Sequence, residues 1–78
     1  MTPGQTRAAR SLIDWNQSKL AEAAALGLST VVDFERGRRQ VSTEAKEAIR
    51  RALESAGVEF IPENGGGAGV RLRKGEPE

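Results

Sequence analysis

The sequence predicts a mainly α fold, four helices followed by a C-terminal β-hairpin. Apolar residues recur at helical spacing in four windows between Thr6 and Ala56. Capping and stop residues punctuate those windows: Thr2 with Pro3, Asn16, Gly37, Ser42 with Thr43, and Gly57. Beyond Gly57 the period drops to two, at Val58-Glu59-Phe60 and again at Val70-Arg71-Leu72. With 78 residues the chain makes one small domain. A domain of that size buries only about 60% of its unfolded surface.

The first helix starts at Thr2-Pro3-Gly4-Gln5. Thr2 caps, Pro3 suits the first helical position, and Gln5 completes a capping box. Such a cap contributes about 1 kcal/mol. Thr6, Ala9 and Ile13 share a face, with Leu12 beside them, and the helix stops near Asp14. Asn16 is the next N-cap, and Trp15 and Leu20 flank it at the spacing of a hydrophobic staple. Leu20, Ala21 and Ala24 form the buried stripe of the second helix. Leu26-Gly27 is the expected turn, with Ser29-Thr30 opening the third helix. Val31 and Phe34 face inward, and Gly37 ends that helix in a left-handed conformation.

Ser42 or Thr43 caps a fourth helix over about 43–56, with Ala45, Ala48, Ile49, Ala52, Leu53 and Ala56 as its apolar stripe. Val58 to Ile61 then reads as a strand, ended by Pro62, which has no N–H for a ladder. The ENGGGAG segment from Glu63 to Gly69 is a connector. It lacks the lysine and following helix of a phosphate loop. Val70 to Arg73 alternates again and pairs back. A hairpin alone is marginal in water, so it must pack on the helices or on a second copy. The expected organisation is a helical unit over 1–57, a hairpin over 58–74 and a loose polar tail over 75–78.

Composition excludes much. There is no cysteine and no histidine, which removes disulfides, thiol nucleophiles, most zinc sites and the usual neutral-pH base. No enzyme activity, metal, cofactor or small-molecule ligand is expected. No apolar run approaches the ~20 residues needed to cross a bilayer, and MTPGQTRAARS has no apolar signal core. A cytoplasmic protein with no membrane partner is the expectation. Net charge is only +1, but its distribution is uneven. Between Arg36 and Arg51 six basic side chains face two acidic ones, and Arg71, Arg73 and Lys74 form a second basic cluster. Trp15 reads as a packing residue, Arg50 and Arg51 as surface residues.

Gln17, Leu20-Ala21, the turn around Ala25 to Gly27, Val31 and Phe34-Glu35-Arg36-Gly37 resemble the Cro and lambda-repressor-like (XRE-type) helix-turn-helix family. The resemblance covers about residues 5–56 without gaps. It implies a lambda-repressor-like DNA-binding domain whose third helix reads the major groove. Leu28, Ser29, Thr30 and Asp33 would then reach base edges. Ser29 and Thr30 donate or accept, Leu28 and Thr30 offer apolar contact to a thymine methyl, and Asp33 accepts from a cytosine amino group. A local hydrogen bond or ion pair accounts for Asp33 equally well. Gln17, Arg36, Arg38, Arg39 and Gln40 would hold phosphates. Arg10 and Glu35 match a structural ion pair between the first and third helices.

The chain departs from that pattern at three places. Ala25 stands where glycine is usual, and a left-handed alanine costs about 1 kcal/mol or more. The turn is therefore expected to pass to Gly27. Asp14 stands where a helix-ending glycine is common, a conformation aspartate tolerates. The third helix carries no Arg or Lys before Arg36, so specificity rests on short side chains and DNA shape.

The function implied is a sequence-specific DNA-binding regulator, a repressor on an inverted-repeat operator, bound as a homodimer to double-stranded DNA. Val58, Phe60, Ile61, Val70 and Leu72 are the expected dimerisation residues, with the fourth helix contributing. The alternative is an antitoxin-like or antiactivator module whose hairpin grips another protein. Arg71, Arg73 and Lys74 fit a DNA contact or edge-strand protection alike.

Overall fold

The computed structural model describes residues 1–38 and 40–73. Arg39, Lys74 and the tail at 75–78 lie outside the described residues, and so do the roles expected of them. Helices α1 (Pro3–Leu12), α2 (Gln17–Ala24), α3 (Leu28–Arg36) and α4 (Thr43–Ser55) precede a hairpin of β1 (Val58–Ile61) and β2 (Gly69–Leu72).

The helix starts are made by local side chains. Thr2 Oγ1 accepts from the Gln5 N–H at 3.0 Å, and Gln5 Oε1 accepts from the Thr2 N–H at 2.8 Å, both arms of a capping box. Asn16 Oδ1 accepts from the Lys19 N–H at 2.7 Å. Ser42, rather than Thr43, caps α4 by accepting from the Ala45 N–H at 3.1 Å.

The first three helices end in one way. Asp14, Ala25 and Gly37 are left-handed, with φ of 59°, 57° and 65°. The next N–H then reaches back five residues: Trp15 to the Arg10 carbonyl at 2.9 Å, Leu26 to Ala21 at 2.9 Å, and Arg38 to Asp33 at 3.0 Å. This is the Schellman arrangement. The expectation that Gly27 would take the left-handed turn is overturned. Gly27 is extended (φ −68°, ψ 148°) and stands as the N-cap of α3, which begins at Leu28. A left-handed alanine costs about 1–2 kcal/mol. Closing the turn at Ala25 caps the Ala21 and Glu22 carbonyls and brings α2 and α3 together over Leu20, Ala21 and Val31. That gain offsets the strain.

The buried core is Ala9, Leu20, Ala21, Val31, Phe34, Val41, Ala45, Ile49, Leu53 and Val58. Leu12, expected beside the apolar face of α1, is instead 41% exposed. Trp15 is half-buried against the core. The hairpin is antiparallel, with Val58 opposite Leu72 and Ile61 opposite Gly69. It lies on α1, where the Gln5 carboxamide N–H group donates to the Ile61 carbonyl at 3.2 Å and the Gly69 carbonyl at 2.9 Å. Phe60 and Val70 pack against the core beside it. The body measures 32 × 29 × 18 Å. No helix among the described residues is long and apolar enough to cross a membrane.

Candidate nucleic-acid interface

Helix α3 buries Val31, Phe34 and Glu35. Its opposite side begins with Leu28 and Ser29, both exposed, and ends with exposed Arg36. Thr30 and Asp33 are half-buried, and Asp33 stands on that side, four residues from Ser29 and three from Arg36. Val32 also lies on it, four residues from both Leu28 and Arg36, and is half-buried. Val32 was absent from the expected base contacts. The i, i+4 spacing could have found it, but an apolar residue beside Val31 reads as core.

One buried carboxylate fixes α3 against its neighbours. Arg10 Nε and one terminal nitrogen donate to the two oxygens of Glu35, each at 2.7 Å, and Glu35 is 2% exposed. Such a forked, charge-assisted pair sets orientation as well as energy. Arg10 also donates to the Trp15 carbonyl at 3.1 Å, and Arg7 donates to the Glu35 carbonyl. Gln17, at the first position of α2, donates from its carboxamide to Glu35 Oε1 at 3.1 Å. The residue expected on a phosphate is thus also tied to the ion pair. α1, α2 and α3 meet at this one group, and no buried side-chain polar atom is left without a partner among the described residues.

The residues expected to hold phosphates differ from several of the other basic side chains. Arg36, Arg38 and Gln40 are exposed at the C-terminal end of α3 and in the segment after it; Arg39, the fourth residue expected there, lies outside the described residues. Arg50, Arg71, Arg73 and Lys19 are engaged within the chain. Arg50 bridges Glu47 at 2.6 Å and Glu54 at 3.0 Å, and its hydrogen bond holds the Glu47 carboxyl below the usual carboxylate range. Arg71 pairs with Glu59 across the hairpin, and Arg73 donates to the Glu54 carbonyl at 2.7 Å. Lys19 lies 5.7 Å from the Trp15 ring and 3.6 Å from Glu22.

Of the expected dimerisation residues, Val58 is 1% exposed within the single chain. It belongs to the core, because β1 enters straight from Gly57 onto α4, and it offers nothing to a second copy. Phe60, Ile61, Val70 and Leu72 are half-buried. A groove of about 450 Å³ between α2 and α4 is lined by Trp15, Ala23, Ala24, Ala52, Ser55 and Arg51, among others. No carboxylate among the described residues lines it. Among the described residues no three His, Cys, Asp or Glu side chains gather to hold a metal ion.

No protein-family model matches the chain, and no curated protein matches it significantly.

Proposed function

We propose that this chain is a sequence-specific regulator of transcription that binds double-stranded DNA through α3, acting as a repressor. The observation that carries the reading is the presentation of α3. The Schellman turn at Ala25 and the Glu35 carboxylate hold it against α2 and α1, while its outward side stays open and leads to exposed Arg36 and Arg38. A major groove admits an α-helix, and arginines at its end suit the phosphates beside that groove.

In this reading Leu28, Ser29, Thr30 and Asp33 face the bases. Arg36, Arg38 and Gln40 hold the backbone. Gln17 keeps one carboxamide N–H on Glu35, and its second N–H and the start of α2 serve a phosphate. One module of this size covers too little DNA for high specificity, which favours a homodimer on an inverted repeat. A body 32 Å long is matched to recognition helices about 34 Å apart. In this reading α4 and the remaining hairpin residues make the contact between the two copies. Repression is the direction this mode of binding supports: a dimer seated in the major groove of an operator keeps other proteins off that DNA by occupancy alone.

Selection of bound duplexes from a random pool tests this directly. A palindromic consensus with two half-sites about one turn apart, bound with steep salt dependence, is the expected outcome. Absence of any enriched sequence, together with copurification of a protein partner, would overturn it.

A further inference from the structure

We infer that Leu28 and Val32 act together as a methyl-reading pair on α3, and that the bound DNA carries thymine where they touch it. The inference rests on the DNA-binding reading above and names what that face selects. Leu28 is 46% exposed, and only Leu12, at the end of α1, is a comparably exposed large apolar residue among those described. Val32 stands one helical turn along the same side. Thr30, the other side chain with a methyl at this end of α3, is half-buried like Val32 but stands two residues from each of the pair, a spacing at which side chains do not share a helix face.

The approach to the pair is open. Gly27 caps α3 without a side chain and makes no side-chain cap bond. A Cβ placed on it would meet only Ser29 Oγ, at 4.0 Å. No Lys or Arg precedes Arg36 on the helix, so the forked contact to guanine has no donor there. The apolar group on a major-groove edge is the C5 methyl of thymine. Side chains four apart on a helix stand about 6 Å from each other, within reach of methyls on neighbouring base pairs.

The test uses the duplex enriched from a random pool, with each thymine replaced in turn by deoxyuridine, which removes one methyl and nothing else. Binding is followed by fluorescence anisotropy. Replacement at one or two positions should weaken the wild-type chain about three- to fivefold, the worth of one buried methyl. Leu28→Ala and Val32→Ala should bind the thymine duplex more weakly and no longer distinguish thymine from deoxyuridine there. Val32→Thr, which keeps the shape of the side chain but exchanges one of its two methyls for a hydroxyl, should retain the wild-type circular dichroism and discriminate less than the wild type at its own position. A wild-type chain indifferent to every replacement, or variants that discriminate as fully as the wild type, would overturn the pair while leaving specific binding intact. A chain that binds all duplexes alike would overturn the DNA reading itself, and the pair with it.

Discussion

The Gln17 carboxamide donates to Glu35 Oε1 at 3.1 Å, on the same carboxylate that receives both nitrogens of Arg10. A residue at the start of α2 and one near the end of α3 are thereby fixed to each other through a group that solvent hardly reaches. The angle between the two helices depends on this carboxylate as well as on Leu20 and Val31.

Removing one partner of that pair should be costly. Arg10→Ala leaves the buried Glu35 carboxyl without its charged partner, and Glu35→Ala strands Arg10, each at about 3–5 kcal/mol. Gln17→Ala should cost about 1 kcal/mol, the net worth of one hydrogen bond. Urea denaturation measures all three. A loss below about 1 kcal/mol for Arg10→Ala would show that water takes over the role of the pair.

Ala25→Gly should stabilise the chain. It relieves a left-handed alanine, worth about 1–2 kcal/mol, and gives back about 0.4–1 kcal/mol in unfolded-chain entropy. The net gain of about 0.5–1 kcal/mol should raise Tm by a few degrees. A lower Tm would mean that the alanine methyl makes a contact worth more than the strain.

Gln5→Leu should loosen the hairpin. It leaves the Ile61 and Gly69 carbonyls without their donor and breaks one arm of the capping box. A cost of about 1–3 kcal/mol is expected. Hydrogen exchange should quicken in β1 and β2 while α3 stays protected. Equal loss of protection in α3 would show that the hairpin and the helices unfold as one unit.

Contacts to backbone and base should separate by mutation. Arg38→Ala should weaken all duplexes alike and reduce the salt slope by about 0.9. Ser29→Ala and Thr30→Ala should relax sequence choice with little change in that slope. Specific binding abolished by Arg38→Ala, with general binding intact, would reverse these assignments.

The surface network on α4 makes a statement about pH. Glu47 is held below the usual carboxylate range, first by its hydrogen bond from Arg50. Its contribution is complete above the ordinary carboxylate pKa and is lost as pH falls through the lowered value. Glu47→Gln should therefore flatten the acid limb of stability against pH, and added salt should shrink the difference because the group is exposed. An unchanged acid limb at low salt would show that the pair contributes nothing.

Local chemistry made much of this fold legible from sequence. Thr2, Asn16 and Ser42 bond to N–H groups three residues on, so their roles are written within four residues of chain. The change of period after Gly57 placed both strands. Ala25 was misjudged because a local cost was weighed without the helix packing that outweighs it. Val58 was misjudged because a two-residue period shows which residues share a face, and not whether that face meets α4 or a second chain. Val32 is half-buried one turn from Leu28, and an apolar residue next to the buried Val31 carries no sign in the sequence of how much of it is left open. Gln5 was read for its capping box alone. Nothing nearby in sequence announces that its other end meets residues 56 and 64 positions away.

That last separation bears on the order in which the chain folds. Arg10 and Glu35 lie 25 residues apart and Gln17 and Glu35 only 18, whereas Gln5 waits for partners from the far end. Loop closure grows dearer with length, though only by about 0.6 kcal/mol per doubling. The larger difference is in timing on a growing chain. The carboxylate network of Arg10, Gln17 and Glu35 has all its members once α3 is made, while the core beneath it still awaits α4. The first turn of α1 stays solvated until β2 follows, so the last strand completes the first helix.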